Sequence, residues 1–276
     1  MHPILFRVGS FRLPTYGVLL ATALVIALWT VIRLGRRAGL EEARLLDFST
    51  WLILVALTGS KLLMIITEWG YYRENPGEIF SRATLQAGGV FYGGFIAAVF
   101  FALWYTRVYH LPVLKVFDVY APAIALGQSI GRLGCFAAGC DYGKPTSSFL
   151  GVVFTNSFSH DLVGVPLGVR LHPTQLYESL AALVIFCILL WRTRRKTYDG
   201  QIFLLYLTLY AGARFLLEFL RGDEDRGFVF NHLLSTSQFI AILALATAAV
   251  MAFTLRGRTP EAIEVVTLPA AKRART

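Results

Sequence analysis

Residues 173–191 read PTQLYESLAALVIFCILLW, and within them Ala181 to Leu190 runs without a charge and without the alternation of a half-buried strand. A bilayer core of about 30 Å is crossed by about 20 mostly apolar residues at helical rise. Lipid offers open backbone no hydrogen-bond partner, so the stretch reads as a membrane-spanning helix, and its lack of alternation argues against a barrel strand. Six further segments read the same way: 16–34, 48–67, 88–109, 113–134, 200–220 and 236–255. The fourth is the most interrupted, by Asp118, Gln128 and Arg132. Composition agrees. Of 276 residues 56% are hydrophobic and only 16% charged, where a soluble domain carries about 25% charged residues. With 21 Phe, 12 Tyr and 5 Trp the chain is too aromatic for disorder, and 3 Cys are too few for a disulfide scaffold. The expected class is an all-α membrane protein of seven transmembrane helices. Residues 140–172 form a small periplasmic head between the fourth and fifth, and 256–276 a basic cytoplasmic tail.

The net charge of +9 raises nucleic acid as a partner until the 26 basic residues are sorted. Fifteen fall on one side of the spans, among them Arg33, Arg36, Arg37, Arg44, Arg192, Arg194, Arg195, Lys196 and the tail. Eight fall on the other, and Lys61, Arg132 and Arg214 lie within spans. The positive-inside rule puts the N-terminus outside and the C-terminus in the cytoplasm. The charge is mostly a topology signal, and nucleic acid is not needed to explain it.

Ionisable residues inside spans are costly and mark function. Tyr16, Lys61, Tyr92, Arg132, Glu178, Arg214 and Glu218 all fall toward the outer side, and only Asp118 lies toward the cytoplasm. Tyr210, Arg214 and Glu218, spaced i, i+4, i+8, share one helix face that Arg221 extends, and His172, Gln175 and Glu178 repeat the pattern at i, i+3, i+6. Part of this charge reads as internal pairing, Arg214 with Glu218 above all. Three cations against two carboxylates leave guanidinium charge suited to phosphate, so the expected site is a pocket for an anionic lipid headgroup in the outer leaflet. Gly127 and Gly131 read as close helix packing. Cys135 and Cys140, five apart, do not match a CxxC metal or redox motif and read as packing positions, with a disulfide as the alternative. Cys187 reads as core, and His172 as a helix N-cap. No cofactor or metal is expected.

Three segments resemble the bacterial prolipoprotein diacylglyceryl transferases: Gly131-Arg132-Leu133-Gly134-Cys135-Phe136 continuing to Gly143, His172-Pro173-Thr174-Gln175-Leu176-Tyr177-Glu178, and Tyr210 through Arg214 and Glu218 to Arg221. Tyr16-Gly17 also fits, as does Lys61 where the family usually has Arg. The resemblance covers roughly residues 14–255. It implies an enzyme of the bacterial cytoplasmic membrane that moves the diacylglyceryl group of phosphatidylglycerol to the lipobox cysteine of a preprolipoprotein signal peptide, leaving a thioether and glycerol phosphate. By position, Arg132 binds the phosphate, Arg214 and Tyr210 stand at the reacting centre, and Tyr16 and Glu218 shape the pocket. Lys61, Gly93, Gly94, Cys135, Gly143, His172, Gln175, Glu178 and Arg221 complete the expected binding set.

Departures are specific. The family's His-Gly-Gly is Tyr92-Gly93-Gly94 here, and Cys135, Ala138 and Cys140 stand where the family has Asn, Asn and Glu. The chain is either a branch with a different base or a relative with altered or lost activity. Tyr92 is a poor base at an ordinary pKa near 10, so the expected catalysis comes mainly from Arg132 and Arg214, with Tyr92 as a hydrogen-bond partner and Glu178 or His172 as the reserve base. The competing class is a lipid-binding or transport membrane protein. Transporters usually place their sites at the midplane of an internal repeat, and neither feature is read here.

Overall fold

The computed structural model describes residues 2–9, 11–81, 84, 88–223, 227–229 and 233–255. The basic tail 256–276 lies outside the described residues. Among the described residues nine α-helices run in order: α1 (Thr15–Arg37), α2 (Glu42–Thr67), short α3 (Trp69–Glu74), α4 (Phe91–Val108), α5 (Val113–Ala138), short α6 (Ser157–Val163), α7 (Thr174–Thr193), α8 (Gln201–Leu217) and α9 (Thr236–Leu255). The seven long ones are apolar and long enough to cross a membrane. Their outer faces carry large apolar side chains, with Phe253 79%, Phe91 73% and Phe100 71% exposed, which only lipid would cover without cost. The chain is an all-α membrane protein; among the described residues its strands form three short antiparallel pairs, β1 (Ile4–Val8) with β2 (Phe11–Pro14) before α1, β3 (Val152–Val153) with β4 (Arg170–Leu171), and β5 (Phe228–Val229) with β6 (Leu234–Ser235) before α9.

Helix α5 is the most buried of the seven and packs against α1, α7 and α8, while α2 pairs with α4 and α9 with α8. One apolar core joins Val31 and Leu34 of α1, Phe48 of α2, Tyr105 of α4 and Val119 of α5. A second joins Ala121 and Ala125 of α5 to Ile185 and Leu189 of α7 and Ile202 and Tyr206 of α8. Polar groups between helices are paired: the Ser49 and Tyr120 hydroxyls lie 2.6 Å apart and Tyr105 donates to Asp47 at 2.5 Å. The close approach of α2 and α4 requires glycine, since a Cβ on Gly93 would sit 2.4 Å from the Gly59 carbonyl oxygen. Gly127 lies against Ala27 of α1, whereas Gly131, expected to mark packing, has nothing within 4 Å of a Cβ built on it. Cys187, expected in the core, is exposed on the outer face of α7: a uniformly apolar run does not say which face meets lipid.

Between α5 and α7 the chain folds into a small head. Gly139, in the left-handed region at φ +92°, ends α5 and turns the chain back. Phe154, Val165 and Leu171 form the head's own core, closed by β3 (Val152–Val153) paired with β4 (Arg170–Leu171). Backbone bonds then tie the head to the end of α8: Lys144 N–H donates to the Leu220 carbonyl at 2.8 Å and Gly222 N–H to that of Tyr142 at 3.0 Å. Gly143 sits at this junction, where a Cβ would come within 2.6 Å of the His172 carbonyl.

Candidate active site

The last turns of α5 carry Gln128, Arg132 and Cys135 at i, i+4, i+7, on one face toward the head end. Helix α7 starts there with Gln175 and Glu178, and α8 ends there with Tyr210 and Arg214. Two serines fix α7 against α5, Ser179 donating to the Ser129 carbonyl at 2.8 Å. Arg132, Tyr210, Arg214, Glu178, Tyr92, Gln128 and Ser237 line one cavity of about 280 Å³, whose remaining wall is apolar. Tyr210 stacks on Tyr206 at 5.6 Å between centroids, and the Tyr206 hydroxyl donates to Gln128 at 3.0 Å.

Glu178 is the hub. Its carboxylate meets Arg132 Nε at 2.6 Å, Arg214 Nη1 at 3.5 Å and Arg221 Nη1 at 3.7 Å. Arg214 also pairs with Glu218 at 2.5 Å and donates to Ser237 Oγ at 2.9 Å. A second hub was not legible in the sequence. Asp141, in the head loop, receives Arg132 Nη1 and Arg221 Nη2, each at 2.7 Å, and Asp223 also pairs with Arg221 at 2.5 Å. Burial opposes the charge on Asp141, but Arg132 and Arg221 outweigh it and hold the carboxyl below its ordinary range.

The expected excess of cations is therefore corrected. Among the described residues three guanidiniums face four carboxylates, because Asp141 and Asp223 add charge that the span residues do not show. The arginines are oriented rather than spare. Around Glu178 the arginines are the more exposed partners, Arg132 at 23% and Arg214 at 14% against 7% for Glu178 and 2% for Glu218, whereas Asp141, at 29%, is more exposed than either. The cavity lining thus holds two guanidiniums oriented by carboxylates, with Glu178 itself among the lining residues, a set of fixed donors that can meet an anion.

The other expected site residues divide. Tyr92 lines the cavity, and its hydroxyl has no hydrogen bond among the described residues. Tyr16 packs under Gly134 and lies within electrostatic reach of Arg132, Cys135, Cys140 and Asp141. Gly143, His172, Gln175 and Arg221 hold the head loop: Gly143 N–H donates to the His172 carbonyl at 3.0 Å, and Gln175 Nε2 to the Cys140 carbonyl at 2.6 Å. His172 does not cap α7, whose cap position is Pro173; its Nδ1 faces the Tyr177 hydroxyl at 3.3 Å. Glu218 backs Arg214 rather than lining the cavity. Gly93 and Gly94 face α2, not the cavity, and Lys61 donates to the Thr84 carbonyl at 2.5 Å, also outside the lining. Gln128 and Ser237 are lining residues that sequence reasoning did not assign. Gln128 alone signals itself, as a polar group inside a span.

The sequence profile of the prolipoprotein diacylglyceryl transferase family matches residues 3–254. A phosphatidylglycerol–prolipoprotein diacylglyceryl transferase of Clostridium tetani is 36% identical over 245 residues, covering 89% of this chain and 94% of that protein. Proteins of the same name from Dehalococcoides mccartyi strain ATCC BAA-2266 and Finegoldia magna are 36% and 32% identical, covering 90% and 91% of this chain and 91% and 94% of their own lengths. The chain belongs to the prolipoprotein diacylglyceryl transferase family.

Proposed function

We propose that the chain transfers the diacylglyceryl group of phosphatidylglycerol to the lipobox cysteine thiol of a preprolipoprotein signal peptide. The observation that carries the reading is the pair Arg132 and Arg214 on one cavity, locked by a shared carboxylate, Glu178. A phosphodiester bound at those guanidinium edges presents its glycerol carbon to the cavity, and the apolar wall of Ala181, Ala182 and Ile185 suits the acyl chains. The acceptor sulfur attacks that carbon. The sulfur–carbon bond forms as the carbon–oxygen bond to phosphate breaks, the electron pair goes to the phosphate oxygen, and the thiol proton leaves to solvent. Both arginines gain strength on the leaving phosphate as its charge grows, which is where electrostatic catalysis acts. Tyr210 and Tyr92 are the hydroxyls that reach the same space.

Charge sorting supports a multi-pass placement in the bacterial cytoplasmic membrane, with the N-terminus and head periplasmic and the cavity toward the outer leaflet. An internal ion-pair lock in a lipid-binding or transport protein is the second reading, since the guanidiniums are paired. One assay separates the two. Purified protein, phosphatidylglycerol vesicles and a lipobox peptide are incubated and the peptide is weighed by mass spectrometry. The expected result is a diacylglyceryl adduct on the cysteine; an unmodified peptide with a folded protein overturns the proposal.

A further inference from the structure

Cys135, Cys140 and Asp141 were not expected to act together, because their spacing fits no short metal motif. The fold brings them together. Gly139 reverses the chain at the end of α5, and the two sulfurs and an Asp141 oxygen lie within 4.8 Å of one another. All three residues are half-buried. Their backbone is pinned: Gln175, fully buried, donates to the Cys140 carbonyl at 2.6 Å, and Thr174, also fully buried, donates through Oγ1 to the Asp141 carbonyl at 2.6 Å. The Asp141 carboxylate is further oriented by Arg132 and Arg221, the kind of outer support that metal-bound carboxylates have. Two sulfurs and a carboxylate are zinc donors, and three protein ligands leave a tetrahedral ion one open position.

Charge and chemistry point the same way. Among the described residues four carboxylates face three guanidiniums at this corner, a balance that favours a bound cation rather than opposing it. The proposed transfer also lacks a base. Among the described residues lining the cavity there is no histidine, and the one carboxylate, Glu178, is engaged by three arginines. A thiol bound to a divalent metal is deprotonated without a base.

We propose that Cys135, Cys140 and Asp141 hold one zinc-class divalent cation whose fourth position takes the acceptor thiol as a thiolate, beside Arg132. The identity of that fourth ligand rests on the transfer reading; the metal site itself does not. The cluster loses its two thiol protons to solvent on taking the ion, and the acceptor thiol loses one on binding. Its sulfur then forms the bond to the glycerol carbon as the phosphate leaves. The neutral thioether gives up its place to water, and no oxidation state changes.

The test uses the full chain, purified under reducing conditions, with zinc and cobalt as probes. Elemental analysis should find about one zinc per chain, and cobalt should give a thiolate charge-transfer band. Both should be lost in Cys135→Ser and in Cys140→Ser, with the metal-free melting temperature of each variant matching that of the metal-free parent to show that it folds. A free thiol with pKa near 8.5 is only about 3% thiolate at pH 7. Chelation should therefore slow transfer about thirtyfold at pH 7, and the metal-free rate should climb toward pH 8.5 while the zinc form stays flat. No bound zinc or cobalt overturns the proposal, as does metal retained in both Cys variants. A mass about 2 Da below the reduced chain, the mark of a Cys135–Cys140 disulfide, overturns it too. Metal bound with an unaltered pH profile overturns the thiol-activating role. Stoichiometric metal without any adduct in the peptide assay would instead strike the transfer reading and leave the site standing.

Discussion

At the end of the bundle away from the head, Asp118 of α5 accepts three donors: Lys196 Nζ at 3.0 Å and the backbone N–H groups of Gly200 and Phe203 at 2.8 Å each. Gly200 is the cap residue of α8 and has no side chain to serve the first turn, so a carboxylate from a neighbouring helix does it. Lys196 is in turn held by Asp199 at 2.5 Å. At the head end Glu178 and Asp141 also gather several donors, but those donors are guanidinium edges that continue into a cavity. Both networks bury carboxylates inside a membrane bundle. The first spends its carboxylate on backbone and so fixes helix position; the second spends it on side chains and so aims them. Both ends border a cavity, the far one of about 410 Å³ lined in part by Asp118, Lys196 and Asp199; what separates a lock from a site is the donor, since two of the three donors to Asp118 are backbone N–H groups that cannot turn toward a ligand.

Substitution should break that comparison most sharply at the arginines. Arg132→Ala and Arg214→Ala should each lower kcat/KM for peptide modification by roughly 100- to 1000-fold, the usual cost of one preorganised donor to developing charge. Each change also uncovers buried carboxylate, Glu178 in both and Glu218 in Arg214→Ala, so a stability loss of about 3 kcal/mol accompanies it and rates are normalised to folded protein. Tyr92→Phe removes one cavity hydroxyl and should cost no more than about tenfold, the worth of a single hydrogen bond. An active Arg214→Ala protein would end the two-arginine account, and a fully active Tyr92→Phe protein would remove Tyr92 from it.

Asp118→Ala is the converse experiment. It strips the tertiary cap from α8 and leaves Lys196 half-deserted, so stability should fall by about 3 kcal/mol, as for other broken buried pairs. Activity per folded molecule should hold, because Asp118 lies at the other end of the helix that carries Arg132. Melting curves and rates normalised to folded protein check the split. A loss of kcat with unchanged melting would show that the far network aims the site as well.

The same contrast explains what could be read from the sequence. Spans were legible because lipid demands long apolar helices, and Arg132, Glu178 and Arg214 because charge inside such helices needs a reason. Asp141 and Asp223 were not, since an acidic residue in a loop is ordinary until the loop is folded. Their meaning comes from Gly139 reversing the chain and from backbone bonds between the head and the end of α8, both settled by the packed structure. Lys61 enters the expected site by depth and resemblance and the Gly93-Gly94 pair by resemblance, and neither specifies which way a helix face turns. Cys187 misled in the same way.

Titration should sharpen the comparison with the smallest effect. Lys196 sits in the connection between α7 and α8; burial disfavours its charge, but Asp199 and Asp118 overcome this and raise its pKa. A raised folded-state pKa contributes stability that is complete below the unfolded value, about 10.4, and is lost as pH rises through the folded one. Asp141 has the opposite sign: held low by Arg132 and Arg221 against burial, it contributes above its unfolded value, about 3.9, and loses that contribution as pH falls through the folded one. The far network should therefore weaken on the alkaline side and the head network on the acid side. Melting temperature against pH should show the alkaline decline shrinking in Lys196→Met and the acid decline shrinking in Asp141→Asn, each by a few degrees and each leaving the other limb in place. If both limbs moved together in either variant, the two ends would be one coupled network, and the division between a lock that positions helices and a site that aims arginines would fail.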